Sequence, residues 1–406
     1  MSGGVSAVTP RSVRLNSEPD MTDTEERDRA SSVLRDVMLR LHYCVVNELQ
    51  PLSSGGANYT SLLYRARLQA PGRPDLRLFV KVANMSENVR AHAINSVYDT
   101  ELLVYEELSK LYRALEEERG VAEPERFVFP ALYGARSRRL EEALVLEDLR
   151  TSGFSPRDRL RPVDWEYACA AMEQLARLHA LGFALQLQAP EQYERLARRV
   201  EMRFDLESTG AWSSTVELAL AATRPEHRAR LQAALASPAA RFLHHYTALR
   251  RSTLVHADYR TCNLMHRRHQ GGALEVRVVD YQTVQRGSPV ADVLYFVFTG
   301  SDEEFRARHL RPLLDHYLQR LHAALGRLRL DPLTVYSAQD FEYELKEKLP
   351  FGLKIAVYTL PVITVEEEDA PELGTDFDSF KVKKTSSRFP ARINGIVDDY
   401  VRWGLI

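Results

Sequence analysis

Leu254-Val-His-Ala-Asp-Tyr-Arg-Thr-Cys-Asn-Leu-Met265, followed by Val276-Arg-Val-Val-Asp-Tyr-Gln282, decides the fold of this chain. Thr253-Leu-Val255 is a short β-prone run that hands over to a loop at His256-Ala-Asp258. Asn263 to His266 and Leu274 to Val279 are two more β-prone runs, and the Gly271-Gly272 pair between them signals a hairpin. Folding about that pair sets Asn263 roughly opposite Asp280, with Asp258 on the preceding loop. A hard cation such as Mg²⁺ takes oxygen ligands and keeps waters and phosphate oxygens besides, so one Asn and one Asp suffice to hold it. Asp258 is left to accept or orient the proton of an attacking hydroxyl.

The spacing His-x-Asp-x-x-x-x-Asn over His256, Asp258 and Asn263, with a strand-terminal Asp280, is how kinase-like phosphotransferases present a catalytic carboxylate and two metal ligands to ATP. Alone, Asp258 would read as a helix cap and Asn263 as a turn residue. Together, with Asp280 following, they read as a site. His256 reads as a structural loop residue rather than a base. A zinc site at Cys262, His266 and His269 is the rival, but that cluster lacks a fourth ligand.

The 406 residues suffice for two lobes, each with its own core. A net charge of −2 gives no sign of a nucleic-acid or membrane surface as partner. Three widely separated cysteines, Cys44, Cys169 and Cys262, form no disulfide framework and fit a reducing, cytoplasmic setting. No run is apolar enough to span a membrane, and no apolar signal region opens the chain.

Residues 1–28 read as a solvated, disordered tail, and Val33, Leu34, Val37, Met38 and Leu41 as one face of a helix. Residues 29–150 read as a nucleotide-binding lobe. In it, Ser53-Ser-Gly-Gly-Ala-Asn-Tyr-Thr60 is a turn between strands in which Gly55, Gly56 and Asn58 let backbone N–H groups approach phosphate oxygens. No Gly-x-x-x-x-Gly-Lys-Ser/Thr occurs, which disfavours a P-loop fold. The strand Leu76 to Val82 carries Lys81. The chain has only two lysines before residue 346, Lys81 and Lys110, so a Lys here departs from its Arg habit. At a phosphate site the two are not equivalent. Glu101, on the helical run Tyr98 to Leu108, is the carboxylate to orient it.

Phe127 to Tyr133 and Ala143 to Leu149 read as two more strands. The second runs into a polar connector, a hinge whose backbone at Glu147 and Leu149 can meet an adenine edge. Residues 151–406 read as a mainly helical catalytic and substrate-binding lobe. Its helices are expected at Tyr167–Leu185, Thr215–Tyr246, Glu303–Leu325 and Arg392–Trp403, with one at Phe341–Leu360 interrupted by Pro350 and Gly352. Ser288-Pro to Phe298 is a capped apolar helix whose Asp292 is placed to bond backbone N–H groups of the catalytic loop.

With these residues laid out, the chain resembles the ecdysteroid kinase-like family, within the aminoglycoside-phosphotransferase and choline-kinase group. The matching stretches are Gly56 to Ser61, Lys81, the Glu101/Tyr105 helix, Leu144 to Leu149, Leu175 to Ala180, the His256–Asn263 loop, Val279 to Gln282, and Ser288 to Phe296. The resemblance implies an α+β, two-lobed protein-kinase-like fold, with a small antiparallel N-lobe sheet and a larger helical C-lobe. It implies ATP- and Mg²⁺-dependent phosphorylation of a small lipophilic alcohol, an ecdysteroid or a relative. Asp258 matches the base, Asn263 and Asp280 the metal ligands, and Lys81 with Glu101 the phosphate-positioning pair. No nucleic acid, membrane insertion or protein partner is implied. The chain departs from the family at Ala257, where Gly is usual, at Tyr259-Arg260, where Leu/Phe-Trp is usual, and at Tyr281, where Phe is common. A Cβ at Ala257 in a tight loop is expected to lower activity, and Tyr259-Arg260, beside the acceptor hydroxyl, to alter substrate choice. Three other readings stay open: a catalytically silent kinase-fold protein that sequesters a lipophilic ligand, a choline- or aminoglycoside-type kinase, and a protein kinase. The short Asp280-to-Ser288 segment speaks against the last, since it leaves no room for a long activation segment.

Overall fold

The computed structural model describes residues 21–53, 60–87, 90, 97–201, 211–236, 246–369, 382 and 384–406. Helix α1 (Met21–Arg40) leads into strands β1 (Val45–Leu52), β2 (Ser61–Gln69) and β3 (Leu76–Ala83). Helix α2 (Val97–Leu103) continues through a π-helical turn, Val104–Leu108, into α3 (Ser109–Glu118). Strands β4 (Leu132–Arg136) and β5 (Ala143–Glu147) complete an antiparallel sheet of order β1-β2-β3-β5-β4. Period-two alternation gives β3 two jobs. Leu78, Val80 and Val82 are buried with Ala30, Val33, Leu34 and Val37 of α1, while Phe79 and Lys81 line the cleft on the other face.

After a 3₁₀ turn at Leu149–Ser152, two small ladders are set among helices. The strands are β6 (Ser155–Pro156), β7 (Thr253–Val255), β8 (Leu264–Arg268), β9 (Leu274–Val278) and β10 (Gln285–Gly287), in the orders β6-β8-β9 and β10-β7. The longer helices are α4 (Trp165–Gln188), α5 (Pro190–Arg199), α6 (Ala211–Ala222), α7 (Pro225–Leu235), α8 (Pro289–Gly300), α9 (Glu303–Arg327), α10 (Ala338–Ile363) and α11 (Arg388–Arg402). The fold is therefore α+β, an antiparallel-sheet N-lobe joined to a mainly helical C-lobe. No described helix is long and apolar enough to cross a membrane.

Several expectations need correction. Helix α1 starts at Met21, inside the stretch read as a 28-residue tail. Its polar first turns hold together through Arg29 paired with Glu25 and Glu26, and Arg29 also donates to the Leu140 carbonyl at 2.7 Å. Only the end of the Phe127–Tyr133 run pairs as a strand. Phe127 and Phe129 instead pack ring to ring, 4.8 Å apart. Helix α10 runs unbroken through Pro350, because its buried face packs between α8 and α11 and outweighs the one lost backbone bond. Gly352 is a close-approach residue rather than an interruption: a Cβ there would lie 2.4 Å from the Phe298 ring. Ser288 sits at the N-cap of α8, but its hydroxyl bonds Glu344 instead of capping the helix.

Candidate active site

The hairpin forms with a register one residue from the expected one. Leu264 pairs with Val278, and Val279 N–H donates to the Asn263 carbonyl at 3.0 Å, so Asp280 lies one position beyond Asn263's partner. Asp280 then turns into the left-handed region, φ +67°. That turn aims its carboxylate at Lys81 Nζ, 2.6 Å away. Lys81 also bonds Glu101 Oε2 at 2.8 Å. One ammonium thus joins β3, α2 and the turn after β9. Burial opposes the charge on Lys81, but Asp280 and Glu101 outweigh it and raise its pKa. Burial raises the pKa of Glu101 despite its ammonium partner, whereas Lys81 holds Asp280 below the usual carboxylate range against burial. Gln282 was not anticipated. Its Oε1 accepts from Thr60 Oγ1 at 3.0 Å and from Lys81 at 3.4 Å, tying the flank of the glycine turn to the Asp280 turn. Gly55, Gly56 and Asn58 themselves lie outside the described residues.

The His256-Ala-Asp258 loop is held from beneath. Asp292, fully buried on α8, accepts from His256 N at 2.6 Å and from Ala257 N at 2.8 Å, as the sequence suggested. Its Oδ2 also meets His179 Nε2 at 3.1 Å, and His179 Nδ1 meets Tyr317 Oη at 2.7 Å. His256 is structural. Its Nδ1 accepts from Asp258 N at 3.3 Å and its Nε2 lies 3.1 Å from the Val279 carbonyl, which fixes the neutral tautomer with the proton on Nε2. Ala257 adopts φ +62°, the conformation that a Gly would take without strain.

Asp258 is engaged on both oxygens. Asn263 Nδ2 donates to Oδ2 at 2.8 Å and to the Asp258 carbonyl at 2.9 Å, and Arg260 Nε lies 2.9 Å from Oδ1. The Tyr295 phenol of α8 stands close to the same carboxylate. Arg260 therefore stands beside Asp258, but Tyr259 does not. Tyr259 is fully buried, and its hydroxyl donates to the Ala171 carbonyl at 2.6 Å. Tyr281 is likewise satisfied, donating to the Val278 carbonyl at 2.9 Å. Cys262, His266 and His269 do not converge. Cys262 lines the cleft, its thiol pKa pushed up by burial, and His269 bonds Glu275 at 2.8 Å.

A cavity of about 230 Å³ opens between the lobes above these groups. Leu52, Leu63, Phe79, Leu146, Met265 and Val279 form apolar walls, while Glu147, Leu149, Lys81, Asn263 and Asp280 also line it. An apolar slot ending in a cation and two oxygen donors suits a purine followed by phosphates. The donor set also fits Mg²⁺. Asn263 spends its amide N–H groups on Asp258, which leaves its carbonyl oxygen for a hard cation, and Asp280 adds a carboxylate oxygen.

The family model described as ecdysteroid kinase-like matches residues 55–330. The chain belongs to the ecdysteroid kinase-like family. As a member it is a small-molecule kinase, and the ecdysteroid kinase-like match includes Lys81, Glu101, Asp258, Asn263, Asp280 and Asp292. No curated protein matches the chain. Among solved structures, an ethanolamine kinase of Plasmodium vivax is 9% identical over 97% of this chain and 98% of that one, TM-score 0.48. Choline kinase LicA of Streptococcus pneumoniae is 13% identical over 91% of this chain and 99% of that one, TM-score 0.39. An aminoglycoside phosphotransferase of Streptomyces rimosus, in complex with ADP and streptomycin, is 14% identical over 74% of this chain and 97% of that one, TM-score 0.33. At these TM-scores the likenesses decide nothing about substrate.

Proposed function

We propose that this kinase transfers the γ-phosphoryl group of ATP, with Mg²⁺, to a hydroxyl of a small lipophilic molecule, an ecdysteroid or a related alcohol. The observation that carries this reading is the bridge Glu101–Lys81–Asp280, 2.8 and 2.6 Å, beside the Asn263–Asp258 contact at 2.8 Å. Lys81, oriented by Glu101, offers its ammonium to the nucleotide phosphates. The backbone at Glu147 and Leu149 meets the adenine edge. Asn263 and Asp280 are the residues that would hold the metal, which when bound supplies positive charge against the phosphate oxygens. Asp258 aligns the acceptor hydroxyl and takes its proton as the oxygen bonds the γ-phosphorus and the bond to ADP breaks. Catalysis of this kind is mostly positioning and electrostatics. A lipophilic acceptor is supported by the aromatic surround of Asp258, where Tyr295 and Tyr358 stand.

The test is phosphoryl transfer to polyhydroxylated steroids, choline and terpenoid alcohols. Asp280→Ala is expected to abolish Mg·ATP-dependent turnover, and Asp258→Asn to lower kcat on the order of 10²–10⁴-fold. Wild-type turnover in either variant would sink the assignment. Tight Mg·ATP binding without turnover on any acceptor would favour the sequestering protein instead.

A further inference from the structure

We propose that Gln282 is a positioning residue for the nucleotide phosphates, setting Lys81 and Thr60 from a single amide oxygen. The inference rests on the reading of Lys81 as the phosphate ligand and adds a residue to it. Local geometry brings Gln282 there. Asp280 turns at φ +67°, and Tyr281 after it is fully buried, its hydroxyl donating to the Val278 carbonyl at 2.9 Å. Gln282, half-buried, comes back to the side of Lys81. Its Oε1 accepts from Thr60 Oγ1 at 3.0 Å and lies 3.4 Å from Lys81 Nζ. An ammonium only donates, so the oxygen and not the nitrogen of the amide faces Lys81.

Lys81 carries three N–H donors, and among the described residues three acceptors face them: Asp280 at 2.6 Å, Glu101 at 2.8 Å and Gln282 at 3.4 Å. With Asp280 given to the metal, as proposed above, Glu101 and Gln282 remain to aim the ammonium. Gln282 does this without a negative charge that would compete with phosphate oxygens. Thr60 directly precedes β2, and its backbone is fixed from the other side. Its carbonyl accepts from Asn84 N at 3.1 Å, just after β3, and from the Tyr98 hydroxyl of α2. The same helix carries Glu101. The Gln282 amide therefore closes a ring of contacts that runs from Thr60 through α2 to Glu101 and Lys81. Cutting the ring at Gln282 or at Thr60 loosens the same ammonium.

The probes are adenosine and Mg·ADP, titrated calorimetrically onto the full chain, since they differ only in the phosphates and their metal. Gln282→Leu and Thr60→Val are each expected to weaken Mg·ADP about ten-fold, the equivalent of one hydrogen bond, and to leave adenosine within about two-fold. Thr60→Ser, which keeps the hydroxyl, should bind as wild type does. Gln282→Leu combined with Thr60→Val should bind Mg·ADP within about two-fold of the weaker single variant, because both cut one contact. Equal losses on adenosine and Mg·ADP would give Gln282 a merely structural role and overturn the proposal, as would unchanged Mg·ADP binding or fully additive losses. A wild type that binds no Mg·ADP sinks the nucleotide reading and this one together. The expected binding differences without phosphoryl transfer to any alcohol support Gln282 in this role and sink the acceptor reading alone. Thermal melts confirm that each variant is folded, and Thr60→Val carries the test should Gln282→Leu not fold.

Discussion

Two non-glycine residues of the site sit in the left-handed region, Ala257 at φ +62° and Asp280 at φ +67°, and they are held there in opposite ways. The Ala257 loop is clamped from within its own lobe. Asp292 takes the N–H groups of His256 and Ala257 and is itself braced by His179 and Tyr317, all of them buried. The Asp280 turn is held across the cleft, by Lys81 on β3 and through it by Glu101 on α2. The carboxylate proposed as the base is therefore pre-built, whereas the one proposed for the metal is held by contacts across the cleft. A kinase that must close on its nucleotide gains from this division, since only the second clamp responds to lobe position.

The largest effect on stability is expected from Asp292→Ala. It strips the acceptor from two buried backbone N–H groups and from His179. At about 1–3 kcal/mol for each unsatisfied donor, the loss is about 3–5 kcal/mol of stability. Turnover should fall at least about 10²-fold even where the variant is folded. Denaturant unfolding and kcat measured together check this. A stable variant with normal kcat would break the claim that the loop is set by its own lobe.

Lys81→Met tests the other clamp. It leaves Glu101 and Asp280 facing each other without a cation. Amide exchange is expected to rise at Tyr281 to Thr283 and to stay unchanged at His256 and Ala257. The global cost is about 3 kcal/mol, the low end for a broken buried pair, because Asp280 keeps some access to solvent while Glu101 does not. Equal exchange changes in both loops would show one shared clamp rather than two.

The two clamps were not equally legible. Lys81 stood out because Arg is the habit of this chain, and its partner Glu101 followed from helical spacing. Asp258, Asn263 and Asp280 were readable because local spacing along a loop and a hairpin fixes them. Asp292 could be placed from a helix start that follows the catalytic hairpin closely. His179 and Tyr317 could not: a His and a Tyr on two apolar helix faces look like core, and only packing of α4 on α9 brings them together. Tyr295 was hidden likewise in the most apolar helix. Pro350 misled in the other direction, since propensity counts one lost hydrogen bond and cannot see the neighbours that hold the helix. The role expected of Tyr259 failed because alternate residues of the loop point to the core and to the cleft, and the buried one carried no mark of it.

The smallest effect bears on the price of the pre-built loop. A non-glycine residue in the left-handed region costs about 1–2 kcal/mol, and Asp292 overcomes that at Ala257. Ala257→Gly removes the strain but loosens the unfolded chain by about 0.4–1 kcal/mol, so a net gain of about 0.5 kcal/mol is expected. The Tm should rise by one or two degrees, with kcat unchanged or raised a few-fold if strain limits the loop's fit to the acceptor. A loss of stability above about 1 kcal/mol would mean that the Ala257 methyl, buried in the loop, contributes more by packing than its φ angle costs. The double variant with Lys81→Met discriminates further. Additive effects would confirm that the loop and the turn are clamped separately, and coupling beyond about 0.5 kcal/mol would show strain passing between them through His256 and the Val279 carbonyl, which lie 3.1 Å apart.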